Sequence, residues 1–423
     1  MLAGSQRSRT RRKVPRVLAA LLLAVVAVVV LATPAHADWI RSKEYWLSDY
    51  GFTTAWNTTQ GAGVIVSVID SGIANVAELD GAVVGGADFS GIGSADGRTP
   101  IGESDVHGTL VASILAGRGT GPNEGVIGTA PAASLLSASV AFGDASTKSA
   151  DDQIAEAVRW SVDNGAKVIN MSLTRNSLEW PTSWDDAFLY AFKHDVVIVA
   201  AAGNRGSGTE EVGAPATIPG VLTVAGVDAN GEASYDASSQ GITIAVAAPS
   251  EDLVGVLPNG QEATWAGSSG ATPIVAGLVA LVRAAHPELD ANNVINRIIK
   301  TATPVDTVPS PIYGYGLINA EAAVNADVAL VDENPLGSLE EWIRLYRRSG
   351  GDIAPAPTPT ATPLAPVAGW SPPWALPSAY QASLVLVPLA FVVGFGSLVV
   401  LGSIAVARQV RRHRDHRDDT TAS

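Results

Sequence analysis

The chain contains no cysteine. A disulfide scaffold, a thiolate zinc site and a cysteine nucleophile are therefore all excluded. Charged residues are scarce too, at 16% against 47% hydrophobic, a balance that rules out a mainly disordered chain. Basic charge is thin in the middle of the sequence. Residues 1–37 carry six Lys/Arg and no acid, and 408–423 carry five Arg and three Asp; the 16 basic and 38 acidic residues between them leave a net charge of −22. So acidic a body argues against phosphate-backbone recognition, and no nucleic-acid partner is expected. There is no internal repeat, and 423 residues leave room for two or three domains.

What is present begins at the ends. A basic stretch from Arg7 to Arg16 precedes an uncharged apolar run, Val17 to Ala32, and then Ala35-His36-Ala37. This is the order of a secretory signal peptide, so residues 1–37 are expected to be removed after Ala37. Ser383 to Ala407 is 25 residues without a charge. At 1.5 Å per residue it is long enough to cross a hydrocarbon core of about 30 Å, and Trp370, Trp374 and Tyr380 precede it as an interfacial belt would. Arg408, Arg411, Arg412, Arg414 and Arg417 follow at once, which places the 408–423 tail in the cytoplasm and the body outside the cell membrane. Ile353 to Ser378 holds eight prolines, so 353–382 reads as an extended stalk. Before it, within the 331–352 connector, Ser338-Leu-Glu-Glu341 is a capping box that opens a short amphipathic helix, with Leu339, Trp342, Ile343 and Tyr346 expected on its packed side.

The middle alternates between two periodicities. Short apolar, β-branched runs at Gly63–Asp70, Ser134–Val140, Lys167–Leu173, Val196–Ala202, Val221–Val227 and Ile242–Ala247 predict strands. Helical patterns at Thr109–Ala116, Ala150–Asn164, Asp185–Lys193, Thr272–Ala285 and Ala291–Thr301 separate them. Near-continuous apolar strands alternating with helices define an α/β domain over 38–330, with a mainly parallel sheet covered on both faces.

Ligand sites in such a sheet gather at strand carboxyl ends and at the starts of the following helices. Asp70 ends one run, His107 opens a helix as His-Gly-Thr, Asn204 ends Val-Ile-Val-Ala-Ala-Ala-Gly-Asn, and Ser269 opens a helix within Gly-Ser-Ser-Gly-Ala-Thr-Pro. Each position has an ordinary structural use as a turn or cap residue. Together they form a chemical set. A serine hydroxyl needs a base to become a nucleophile, and histidine titrates near neutral pH. A carboxylate fixes the imidazole tautomer, and a side-chain amide donates to an oxyanion.

Those segments, Val-Ile-Asp70-Ser-Gly, His107-Gly-Thr, Ala-Ala-Gly-Asn204 and Gly-Ser-Ser269-Gly-Ala-Thr-Pro, resemble the subtilisin-like serine proteases, the subtilases, from about Gly61 to Ala326. The resemblance implies a subtilisin-like three-layer fold. It casts Asp70 as orienting acid, His107 as general base and acid, Ser269 as nucleophile, and Asn204 with Ser269 as the oxyanion hole. It also makes Ser172, Leu173 and Thr174 one wall, and Ala201 and Gly203 another, of the pocket for the residue before the scissile bond. Two departures stand out. Thr174-Arg175 replaces a glycine common after Ser-Leu, where a side chain narrows the pocket or alters the backbone path. Gly270 replaces bulkier residues and is expected to loosen the turn after the nucleophile. No metal site or cofactor is expected; subtilases often bind structural calcium, but no ligand set here can be matched to one.

About thirty residues separate Ala37 from Asp70, too few for a separate folding prodomain. Short N-terminal extension, stalk, single span and basic tail together resemble the mycosins, membrane-anchored subtilases of actinobacterial type VII secretion systems, although mycosins usually carry cysteines. The expected partners are a protein or peptide substrate, membrane lipid, and membrane proteins of a secretion complex. Two functions compete: an extracytoplasmic endopeptidase working through an acyl-enzyme, and a mainly structural secretion component with dispensable proteolysis. An esterase with a Gly-x-Ser-x-Gly elbow fits the flanking motifs poorly. Intact-mass analysis of the membrane-extracted chain should show a mass lacking residues 1–37; a retained Met1 would refute the cleavage.

Overall fold

The computed structural model describes residues 39–142 and 146–347. The signal peptide, stalk, membrane span and tail expected from the sequence lie outside the described residues. Three short helices come first, α1 (Trp39–Lys43), α2 (Tyr45–Asp49) and α3 (Phe52–Ala55). Then follow β1 (Ile65–Asp70), β2 (Val83–Asp88), α4 (His107–Ala116), β3 (Ser134–Ser139), α5 (Ala150–Asp163), β4 (Val168–Met171), α6 (Thr182–Lys193), β5 (Val197–Ala201), β6 (Leu222–Val227) and β7 (Ile244–Pro249). A hairpin of β8 (Leu253–Val256) and β9 (Glu262–Trp265) leads into α7 (Ser268–Ala285), α8 (Ala291–Thr301), α9 (Ala320–Asn325) and α10 (Leu339–Trp342).

β1 to β7 form one parallel sheet in the order β2-β3-β1-β4-β5-β6-β7. Its central strands, such as β4 and β5, are buried on both faces because both faces are covered. In β5, Val197 and Val199 enter one core while Ile198 and Ala200 enter the other. The first core joins the sheet to α7 through Ile274, Val275 and Leu278, to α8 through Val294 and Ile298, and to α4 through Val111 and Ile114. The second joins it to α5 through Ile154 and Val158 and to α6 through Trp184 and Phe188. β1 lies between β3 and β4, so the chain winds outward in both directions from it. The carboxyl end of β1 is therefore the switch point where this architecture places ligands.

Every expected strand is present, trimmed at its ends, except that the last is displaced to Ile244–Pro249. Helices α4, α6 and α7 begin two to four residues earlier than the periodicity predicts. Among the described residues one helix, α7, is long and apolar enough to cross a membrane, but 83% of it is buried inside the protein, as befits the central helix of a core.

The 331–352 connector departs from expectation in part. Ser338 Oγ accepts the Glu341 N–H at 3.2 Å, but the Glu341 carboxylate turns to Arg344, so only half of the capping box forms. Leu339 is buried and Trp342 and Ile343 pack on the second core, whereas Tyr346 is 64% exposed. The backbone over Ile343–Arg347 winds more widely than an α-helix, which moves residue 346 off the packed stripe.

Helices of four or five residues are unstable alone, so α1 to α3 hold by packing. Trp46 and Phe52 are fully buried in the first core. Trp46→Ala is expected to cost about 3–5 kcal/mol, read as a lower denaturation midpoint with an unchanged slope. A midpoint equal to wild type would show that the N-terminal segment contributes nothing.

Candidate active site

Three adjacent strands, β1, β4 and β5, deliver Asp70, Ser172 and Asn204 to the same edge of the sheet. α4 and α7 bring their first turns to meet them. Asp70 is the last residue of β1 and is 5% exposed. Its Oδ1 accepts the Ser71 N–H at 2.7 Å, and Ser71 Oγ accepts the Gly108 N–H at 3.0 Å, which ties the turn after β1 to the start of α4. His107, the first residue of α4, points Nδ1 at both carboxylate oxygens of Asp70, 2.8 and 2.9 Å away. An acceptor on that side puts the proton on Nδ1 and leaves Nε2 as the basic nitrogen.

Trp265, from β9, stands edge-on to the His107 ring with centroids 5.7 Å apart. The same indole comes within 3.4 Å of where a Cβ on Gly270 would sit, so it touches both the imidazole and the start of α7. Burial pulls the His107 pKa down, but the charge of Asp70 and its hydrogen bond together outweigh it, and the net shift is upward.

Ser269 is the second residue of α7, at the positive end of an 18-residue helix. Its hydroxyl donates to the Ser172 carbonyl at 3.1 Å, while Ser172 Oγ donates to the Ser269 carbonyl at 2.8 Å. Asn170 Nδ2 in turn donates to Ser172 Oγ at 3.0 Å. Asn204 lies three residues past the end of β5 rather than on the strand. Its Oδ1 accepts from both Ser268 N and Ser268 Oγ at 2.8 Å, so the amide's NH₂ is the end left to serve an incoming group. A neutral imidazole on a carboxylate, a serine at a helix amino end and an oriented amide donor suffice chemically for acyl transfer.

Gly270 corrects an expectation. The turn after Ser269 is not loosened, because a Cβ at 270 would lie 2.3 Å from Leu253 Cδ1. Leu253 and Trp265 fill the space that a larger residue would take. Of the expected wall residues, Ser172, Leu173 and Thr174 follow β4, Ala201 ends β5 and Gly203 lies two residues beyond it, with Met171 and Ala200 in register; Ser172 is bonded directly to Ser269. Three contributors went unread in the sequence: Trp265, Ser268 and Asn170. Ser268 was visible in the Gly-Ser-Ser-Gly motif as the neighbour of the nucleophile, but its partner is 64 residues away. Among the described residues no group of three or more His, Asp or Glu is placed to hold a metal ion.

The chain belongs to the subtilase family, whose model matches residues 61–316. It is a subtilisin-like serine endopeptidase. It is 38% identical to Subtilisin DY of Bacillus licheniformis over 267 residues, 62% of this chain and 92% of that protein. It is 36% identical to Mycosin-4 of Mycobacterium tuberculosis over 316 residues, 64% of this chain and 67% of that one. Among solved structures it resembles MycP1 from Mycobacterium smegmatis, with a TM-score of 0.59 at 29% identity over 67% of this chain and 85% of that one. It also resembles MycP1 described as a serine protease and an essential component of the type VII (ESX-1) secretion system, with a TM-score of 0.57 at 30% identity over 66% and 88% of the two chains.

An imidazolium cannot accept a proton, so activity that needs His107 as base is lost as pH falls through its pKa. That pKa is raised. kcat/KM is therefore expected to rise with pH through an inflection above the ordinary imidazole value of about 6.5. Asp70→Asn removes the charge and keeps the burial, so an NMR titration of the His107 ring should move to lower pH. An unmoved titration would show that Asp70 is not the cause of the shift.

Proposed function

We propose that the chain is a membrane-anchored extracytoplasmic endopeptidase whose active groups are Asp70, His107, Ser269 and Asn204. The observation that carries this reading is the two-oxygen grip of Asp70 on His107 Nδ1, at the same sheet edge as Ser269 and Asn204. In the reaction, the Ser269 hydroxyl turns from the Ser172 carbonyl to His107 Nε2 and gives up its proton as Oγ attacks the scissile carbonyl. Asn204 Nδ2 and backbone N–H at the start of α7 donate to the oxygen that becomes negative. His107 then returns the proton to the leaving amine, and water, deprotonated by His107, releases the acyl group from Ser269. Asp70 stays ionised throughout and stabilises the imidazolium.

A second reading rests on the mycosin likeness. MycP1 is described as an essential component of a type VII secretion system, and a secretion-complex role for this chain, with membrane proteins as partners, is the corresponding proposal. The expected C-terminal span would supply the anchor. Ser269→Ala in the native host separates the two ideas: secretion that survives the substitution but fails on deletion of the whole chain assigns the structural role.

Labelling of the full-length chain by a fluorophosphonate probe tests the first reading. Wild type should label and Ser269→Ala should not, with the fold unchanged by circular dichroism. Equal labelling of both would remove Ser269 from the mechanism. Asn204→Ala should lower kcat by about 10²–10³, a range set by loss of one oxyanion donor in subtilisin itself. Undiminished turnover would overturn the role given to that amide.

A further inference from the structure

β4 and β5 leave the sheet side by side, so the segments Ser172–Thr174 and Ala201–Gly203 begin about 4.8 Å apart, one strand spacing. Beyond Thr174 the first wall is stitched to a third segment. Arg175 N donates to the Ala214 carbonyl at 2.7 Å, and Ala214 N donates to the Ser177 carbonyl at 2.8 Å. Gly213 faces this junction. A Cβ on it would lie 1.7 Å from the Arg175 carbonyl oxygen and 2.7 Å from Thr174 Oγ1, so those two atoms already occupy the space in front of residue 213. The second wall is backed as closely. A Cβ on Gly203 would meet Thr209 Cγ2 at 2.7 Å and Ser239 Oγ at 2.9 Å.

The 174–175 segment is tethered on its far side. The Arg175 guanidinium pairs with Asp151 in the first turn of α5 and lies over the Trp184 ring, 5.6 Å from its centroid. Trp184 is fully buried and its Nε1 donates to the Asp151 carbonyl at 2.9 Å. Moving the 174–175 backbone outward would break that ion pair and its stacking together with the Arg175–Ala214 hydrogen bond.

We propose that Thr174 and the Arg175 carbonyl form the floor of a shallow pocket, and that the chain cleaves after small residues, Ala, Gly or Ser. A Leu or Phe before the scissile bond would either overlap the floor or hold its acyl carbonyl away from Ser269. This rests on the endopeptidase reading and adds the substrate class. Loss of fit in an apolar pocket is worth on the order of 10–200-fold in kcat/KM, and at least tenfold is expected here.

The test digests a proteome-derived peptide library with the full-length chain and reads the cleavage sites by mass spectrometry. Fluorophosphonate labelling in the same samples counts active Ser269. Expected is a labelled enzyme whose cleavages follow Ala, Gly or Ser at least tenfold more often than Leu or Phe, corrected for their abundance. Labelled enzyme that cuts after Leu or Phe as often as after Ala overturns the floor. Absence of labelling instead overturns the endopeptidase reading on which the floor depends. Thr174→Gly, in samples that still label, should shift the Phe-to-Ala ratio upward by about tenfold. A ratio that stays at the wild-type value overturns the role of Thr174.

Discussion

An 18-residue apolar helix buried beneath a parallel sheet is the constraint on which the remainder depends. α7 is buried along almost its whole length, from Ser268 to Arg283, and packs under β1 and β4 to β7. Its axis therefore cannot be placed freely. Close packing on both sides leaves one position for its first turn, and that turn is where Ser268 and Ser269 stand. The composition that makes α7 resemble a membrane span is the composition that lets it serve as the core of the domain. Its polar end emerges at the one edge where three neighbouring strands finish.

The second constraint is a contest at His107. Packing against Trp265 removes much of the water around the imidazole, whose side chain stays 25% exposed, and favours its neutral form. The Asp70 carboxylate favours the charged form and wins, so the ring is held as a stronger base than free histidine. The same contact fixes the tautomer. Burial without Asp70 would give a weak base with no preferred orientation. Asp70 without the turn from Ser71 to Gly108 would have no fixed distance to the ring. The geometry depends on a chain of short local bonds at the end of β1, and their partners lie only 37 residues apart.

What was legible in the sequence follows the same division. The strands read well because each is an apolar run buried on both faces, and Asp70 interrupts such a run. β2 was missed: Val83-Val-Gly-Gly-Ala-Asp88 is short, glycine-rich and at the sheet edge, where burial does not enforce a pattern. The β8–β9 hairpin and the short α1 to α3 were missed because their stability is tertiary. The site shows the same split. Asp70, His107, Asn204 and Ser269 were readable as polar residues at strand and helix ends. Trp265 and Ser268 act through partners distant in sequence, and Asn170 lies within an apolar strand whose neighbour Ser172 reaches the nucleophile 97 residues on. Gly270 was misjudged for that reason, since the atoms that fill its space come from Leu253 and Trp265.

The resting position of the Ser269 hydroxyl sets one further cost. It donates to the Ser172 carbonyl, so a rotation about χ1 must precede transfer to His107. The hydrogen bond surrendered is worth about 0.5–1.5 kcal/mol net. At RT near 0.6 kcal/mol that lowers the reactive population by about 2- to 13-fold. Such a cost is small beside what the oxyanion donors contribute. It falls away once substrate is bound if the incoming chain takes the Ser172 carbonyl for a hydrogen bond of its own. A peptide laid along the end of β4 presents backbone N–H groups to that wall, as any added strand does. Occupying the slot would then also free the nucleophile, and the 2- to 13-fold population cost of the resting bond would be lifted by the substrate itself.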